Sequence, residues 1–173
     1  MMDIPVLVED FTRRCEFLYR MTVDFVEAVP NDKWDFTPDP PSEPGRSIDP
    51  LRHGAGFAPF CKQLRHVVCV RGVYNSALRT KTADFSKKHE YYTGSLDREN
   101  LLSALEQKQQ ELITNLVTVN ADEPIDFFGR AFTFGDFAFT VVQHEAIHHG
   151  QWSIYASLAG FQTPLSWRVE WGL

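Results

Sequence analysis

The stretch His144-Glu145-Ala146-Ile147-His148-His149-Gly150-Gln151 decides how this chain is read. On an α-helix of 3.6 residues per turn, positions four apart differ by about 40° in azimuth. The imidazoles of His144 and His148 therefore share a face and can both reach one metal ion. Gln151 returns to that face, while Glu145 and His149 point elsewhere. The face extends in both directions, because Phe137, Val141, His144, His148, Gln151, Tyr155 and Leu158 recur at intervals of three and four. Imidazoles in such an apolar stripe need partners for both ring nitrogens. A metal on one nitrogen and a carbonyl, carboxylate or water on the other would satisfy them. The plain alternative is a pair of core histidines bonded to neighbouring side chains, with no metal and no third histidine nearby.

A third histidine is available. His66 sits in Phe60-Cys61-Lys62-Gln63-Leu64-Arg65-His66-Val67-Val68-Cys69-Val70-Arg71-Gly72-Val73, whose periodicity is helical, with Cys69, Val70, Val73 and Ala77 on its face. Lys62 and Gln63, one turn earlier, are candidates for a pocket mouth. Three protein ligands with one position left open is the pattern of catalytic zinc-type sites, whereas structural sites are closed by four. Cys69 shares the His66 face and is a rival ligand, but it fits equally well as a small core residue. His53 and His89 lie in polar or Gly/Pro-rich sequence and read as solvated.

The 173 residues suffice for one domain, 1–173, with a core that needs no staples. Apolar residues make up 43% and charged residues 23%, as in ordinary globular proteins. A net charge of −6 and a pI near 5.5 leave no basic stripe to neutralise phosphates, which argues against a nucleic-acid partner. Cys15, Cys61 and Cys69 are too few and scattered for a disulfide framework. No secretory leader is evident, and no run of about 18 apolar residues offers a membrane span. The expectation is a cytoplasmic protein.

Four helical segments are predicted. The first runs from about Pro5 to Val29, with Leu7, Phe11, Leu18, Phe25 and Val29 as its stripe. A long, stiff connection from Pro30 to Gly56 follows, holding Pro30, Pro38, Pro40, Pro41, Pro44 and Pro50. The second helix covers about Phe57 to Thr80. The third begins near Ser95 as N-cap and buries Leu101, Leu105, Leu112 and Leu116. Residues Ile125 to Gly135 read as a short hairpin or extended loop around Gly129-Arg130. The fourth helix runs from about Asp136 to Ala159 and stops at Gly160. Long helices with few strands predict an all-α four-helix bundle with a metal between facing helices. The tail Pro164 to Trp171 is too apolar for a free end and is expected to fold back on the bundle or on a partner subunit.

His144-Glu145-x-x-His148-His149-Gly150-Gln151, followed by an apolar run to Ala159-Gly160, resembles the last helix of the DinB/YfiT-like superfamily. The likeness in layout extends to His66 on the second helix, the Phe-rich segment before the fourth, and Pro164. His149 departs from the arginine common there, and the connection after helix one is longer than usual. The resemblance implies a four-helix bundle whose divalent metal, zinc or nickel, is held by His66, His144 and His148. It also implies a homodimer, a small-molecule substrate, and either thiol transfer with a low-molecular-weight thiol as co-substrate or hydrolysis. Members of the family without an established activity keep a non-catalytic metal- or ligand-binding bundle as the alternative.

The rival reading takes His144-Glu145-Ala146-Ile147-His148 as a zincin HExxH motif, with Glu145 as general base and Glu170 as third ligand. The discriminator is the third ligand: His66 supports the bundle, Glu170 the peptidase. In the bundle reading, Gln151 is placed to hydrogen-bond the bound species or a ligand ring. Glu145 is the acid–base candidate, although its place on the helix flank suggests a surface position.

Overall fold

The computed structural model describes residues 4–38 and 58–173. Four long helices make the bundle: α1 (Ile4–Ala28), α2 (Phe60–Thr80), α3 (Arg98–Thr118) and α4 (Phe134–Ala159). A fifth, short helix α5 (Leu165–Trp171) follows. The expected all-α four-helix bundle is thus the observed architecture. α1 packs against α3 and α4, and α2 packs against the same two. The chain therefore places α1 and α2 on one diagonal, joined by the expected connection from Pro30 onward. Its start is fixed by a single 3-10 turn at Asn31–Lys33 and by Trp34, whose Nε1 donates to the Leu96 carbonyl at 2.7 Å. Pro40, Pro41, Pro44, Pro50, His53 and the expected helix start at Phe57 lie outside the described residues.

Helix ends follow local chemistry. α4 starts at Phe134, two residues before the expected position, because Thr133 and Asp136 form a capping box. Asp136 N–H donates to Thr133 Oγ1 at 3.1 Å and Thr133 N–H donates to Asp136 Oδ2 at 3.0 Å. α4 ends as expected at Gly160, which adopts φ 80. α3 begins at Arg98 with Asp97 as N-cap, so the assignment of Ser95 is corrected. The Ser95 hydroxyl donates to Asp97 Oδ2 at 2.7 Å and is occupied there rather than at a helix terminus.

The hairpin before α4 is present: β2 (Ile125–Phe127) pairs antiparallel with β3 (Arg130–Phe132), with Phe127 opposite Arg130. The turn residues are Phe128 and Gly129, both with positive φ as a tight hairpin turn requires. Besides α5 and the turn at Asn31–Lys33, two further elements were not expected. β1 (Thr82–Ala83) adds parallel to β2, and a 3-10 segment runs over Phe85–Tyr91. That segment is anchored by the Phe85 ring stacked on Phe128 at 4.8 Å and by contact with Tyr74 at 6.1 Å.

The core has two parts. One gathers Phe11, Val73, Tyr74, Phe137 and Val141 with the hairpin residues Ile125 and Phe127. The other gathers Phe25, Phe60, Leu64, Trp152 and Trp167. The tail folds back on its own bundle: Trp167 is fully buried, and its Nε1 donates to the Met21 carbonyl at 2.7 Å. No helix among the described residues is long and apolar enough to cross a membrane. Cys15, Cys61 and Cys69 are free thiols, all buried.

Candidate metal centre

Where α2 faces α4, between the two parts of the core, His66, His144 and His148 converge. His144 Nε2 lies 3.2 Å from His66 Nε2 and 3.2 Å from His148 Nε2. An imidazole nitrogen carries either one proton or one lone pair, so His144 Nε2 can hydrogen-bond only one of these two neighbours. Hydrogen bonding among core histidines therefore leaves one close nitrogen pair unexplained. A shared cation explains both, because nitrogens placed tetrahedrally at about 2.0–2.1 Å from zinc stand about 3.3 Å apart. The donor set fits a divalent metal.

The rings are held neutral. Burial, reinforced by the neighbouring histidines, lowers both His66 and His144 to a pKa of about 3. Burial also lowers His148, against hydrogen bonding from Gln151 and the charge of Glu145. Neutral imidazoles are the form that binds metal. His148 is buried while His66 and His144 are half-buried.

Gln151 does return to the ligand face. Its Oε1 and His148 Nδ1 are both buried, with no hydrogen-bond partner among the described residues. Gln151 lies near enough to favour a protonated His148. With Nε2 turned to the convergence, the His148 proton belongs on Nδ1, and Gln151 Oε1 is its acceptor.

Glu145 requires a correction. It is buried rather than on a surface flank, in a bidentate ion pair with Arg71 of α2. Arg71 Nε donates to Oε1 at 2.6 Å and Nη2 donates to Oε2 at 2.7 Å. Arg71 Nη1 also donates to Gln109 Oε1 of α3 at 2.7 Å, and the guanidinium sits 5.7 Å from the Tyr19 ring of α1. One network thus joins all four helices. Arg71, Gln109 and Tyr19 were missed in the sequence, although an arginine inside the apolar run Val67 to Val73 signals a buried acid.

The other candidates separate. Glu170 is exposed on α5 and is not part of the histidine group. Cys69 is buried, with its Sγ directed at the Tyr92 carbonyl at 4.0 Å, and burial raises its thiol pKa. Lys62 is exposed. Gln63, expected near a pocket mouth, is fully buried: Nε2 donates to the Ala58 carbonyl at 2.9 Å, and Oε1 accepts from Trp152 Nε1 at 3.1 Å. His89 is exposed, as expected. His149 is buried beside Trp167, with Nε2 2.8 Å from Thr22 Oγ1 of α1.

The sequence model of the DinB superfamily matches residues 14–152. Among solved structures, a DinB-like protein from Bacillus subtilis, YjoA, superposes with a TM-score of 0.58 at 15% identity. The alignment covers 91% of this chain and 94% of that one, and at this identity it speaks for the fold alone. No curated protein matches the chain.

Proposed function

The chain belongs to the DinB superfamily, and from that premise we propose that it is a metal-dependent enzyme acting on small molecules, a thiol transferase before a hydrolase. His66, His144 and His148 hold one divalent ion, zinc or nickel, through Nε2. The observation that carries this reading is the double 3.2 Å approach at His144 Nε2, which hydrogen bonding cannot satisfy. When bound, the ion lowers the pKa of a water or thiol in its open position and so supplies a nucleophile at neutral pH.

The chain's own residues then have defined tasks. The three neutral rings would hold a bound ion without offsetting its charge. Gln151 fixes the tautomer and tilt of His148. Arg71 and Glu145 fix the rotation of α4 against α2, and so the direction of His144 and His148. Burial keeps Cys69 protonated, and it raises the Cys61 thiol to about 12, helped by the hydrogen bond to Asp35. The nucleophile is therefore exogenous, a low-molecular-weight thiol co-substrate. Glu145 has both oxygens on Arg71, which supports a positioning role rather than that of a base.

We also propose a homodimer through α4, where Phe139, Ile147, Ile154 and Leu158 are exposed within an arc of about 100°.

The test is direct. Purified protein should carry about one equivalent of divalent metal, lost in His144→Ala and His148→Ala. Incubated with a panel of cellular thiols and an electrophile, it should form conjugates only when metal-loaded. If both variants retain metal, the site is elsewhere. If metal binds and no thiol or hydrolytic turnover follows, the non-catalytic binding bundle is the correct reading.

A further inference from the structure

A cavity of about 240 Å³ lies between α4 and α5. From α4 it is lined by Ala146, His149, Gly150 and Ser153, and from α5 by Trp167 and Trp171. At about 100° per residue, those four α4 positions centre about 180° away from the face of His144, His148 and Gln151. The cavity is thus separate from the metal centre. Its walls are aromatic: the His149 ring stands 4.8 Å from that of Trp167 and 6.1 Å from that of Trp171, centroid to centroid. Trp167 is fully buried, whereas Trp171 is 41% exposed. No charged side chain is among the lining residues.

Two features of this wall oppose folding and have no counterpart inside the chain. His149 is only 3% exposed, and its Nε2 lies 2.8 Å from Thr22 Oγ1, but its Nδ1 is buried with no hydrogen-bond partner among the described residues. Trp167 Nε1 and Ser153 Oγ are engaged elsewhere, with the Met21 carbonyl at 2.7 Å and the Gly150 carbonyl at 2.8 Å. A buried ring nitrogen left alone calls for an explanation. Gly150 is the second feature. It lies in the interior of a long helix, where glycine is disfavoured relative to alanine. A Cβ built on it meets nothing within 4 Å, so close packing within the chain does not require the glycine. Its missing side chain leaves the cavity wall bare.

We propose that this cavity binds a small, uncharged aromatic molecule bearing one hydroxyl, a phenol, with its ring against the indoles and its hydroxyl on His149 Nδ1. The volume suits one ring with a short substituent, since about 150 Å³ holds benzene and drug-sized ligands need about 300 Å³ or more. A ring among two indoles and an imidazole gains edge or offset-stacked contacts. A hydroxyl can donate or accept, so it pairs with Nδ1 in either tautomer of His149. A carboxylate would find no cation on the wall, and the loss of its hydration would go uncompensated. The rival occupant is an apolar side chain of a partner subunit, because Gly150 falls within the arc of Phe139, Ile147, Ile154 and Leu158.

The experiment titrates the protein, with and without metal, with three molecules of one shape: p-cresol, p-xylene and 4-methylbenzoate. Calorimetry gives the affinities, and the indole N–H resonances of Trp167 and Trp171 report the place. In a merely apolar cavity p-xylene binds tighter than p-cresol, because the phenol surrenders the hydration of its hydroxyl without return. With Nδ1 as partner the order reverses: p-cresol should bind about fivefold tighter than p-xylene, and 4-methylbenzoate weakest. Gly150→Leu, which puts a helix-favouring side chain into the space, should weaken p-cresol by about tenfold or more without lowering the unfolding temperature. The proposal is overturned by p-xylene binding as tightly as p-cresol or tighter, by 4-methylbenzoate binding tightest, or by p-cresol affinity unchanged in Gly150→Leu. It is also overturned if none of the three binds the wild type. Binding gained only in Ile154→Glu with Leu158→Glu would then identify the partner subunit as the occupant. Every one of these outcomes leaves the metal reading standing, since the cavity lies on the opposite side of α4.

Discussion

Replacing Glu145 separates the two roles a glutamate between metal-ligand histidines can have. Its carboxylate accepts two hydrogen bonds from Arg71 at 2.6 and 2.7 Å, and the two side chains are only 5% and 3% exposed. Glu145→Gln keeps the shape but leaves a buried guanidinium with no anion, supported only by Gln109 and the Tyr19 ring. Breaking a buried pair from one side costs about 3–5 kcal/mol. Against a total stability of about 5–15 kcal/mol, that is a large fraction. In urea, with a slope of about 2 kcal/mol/M, the midpoint should fall by about 2 M. Removing both partners, as Glu145→Leu with Arg71→Met, leaves no orphaned charge and should recover most of the loss.

The assay is urea unfolding of the wild type, both single variants and the double, with metal content measured alongside. A Glu145→Gln protein within about 1 kcal/mol of wild type would refute the tether, as would a double variant no more stable than the singles. The catalytic alternative has its own signature. Cleavage of unstructured protein that vanishes in Glu145→Gln, with stability and metal unchanged, would restore the peptidase reading.

Gln151→Leu should leave the fold intact and weaken metal binding about 10- to 100-fold, measured by chelator competition, because His148 Nδ1–H loses its acceptor; unaltered affinity would remove Gln151 from the site. His149 predicts a pH dependence of stability. Burial lowers its pKa to about 4 from an unfolded value of 6.5, so the unfolded chain takes up the proton first. Its stabilising effect is complete above pH 6.5 and lost as pH falls to about 4, a change on the order of 3 kcal/mol. In metal-free protein, denaturant titrations of wild type and His149→Gln should diverge above pH 4 by that amount, and parallel curves would contradict it. Ile154→Glu with Leu158→Glu should convert the proposed dimer to monomer in sedimentation equilibrium, and a wild type that sediments as a monomer at all concentrations would exclude the α4 interface.

The features legible in the sequence were those set by period. His144 and His148 share a face because a helix turns 100° per residue, and the structure brings His66 to the same point. The stops at Gly160 and the hairpin before α4 rest on equally local rules. What stayed hidden depends on distant partners. The Ser95 N-cap failed because one hydroxyl found Asp97 two residues away. The 3-10 segment Phe85–Tyr91 is placed only when Tyr91 docks on Gly72 and Phe85 on Tyr74. Glu145 reads as a flank residue because its azimuth excludes the metal face, and azimuth alone cannot show that Arg71 covers that flank.

That last failure explains how the site is held. Within one turn and a half of α4, four polar residues point in different directions to different helices. His144 and His148 turn to His66 of α2, Glu145 to Arg71 of α2 and Gln109 of α3 through it, and His149 to Thr22 of α1. A rotation of α4 by one residue, about 100°, would break every one of these contacts at once. Apolar packing opposes such a rotation as well, because Phe137, Trp152 and Tyr155 on the inner side are buried while Phe139, Ile147, Ile154 and Leu158 are exposed. The polar tethers add direction to that packing and favour the register in which two imidazoles meet the third. On this argument, Glu145→Leu with Arg71→Met and His149→Gln, which cuts both tethers and leaves no orphaned charge, should keep its helices yet bind metal more weakly than its stability loss accounts for. Helicity by circular dichroism combined with metal affinity tests this: wild-type affinity in that variant, once shown to be folded, would show that packing, and not the tethers, sets the azimuth of His144 and His148.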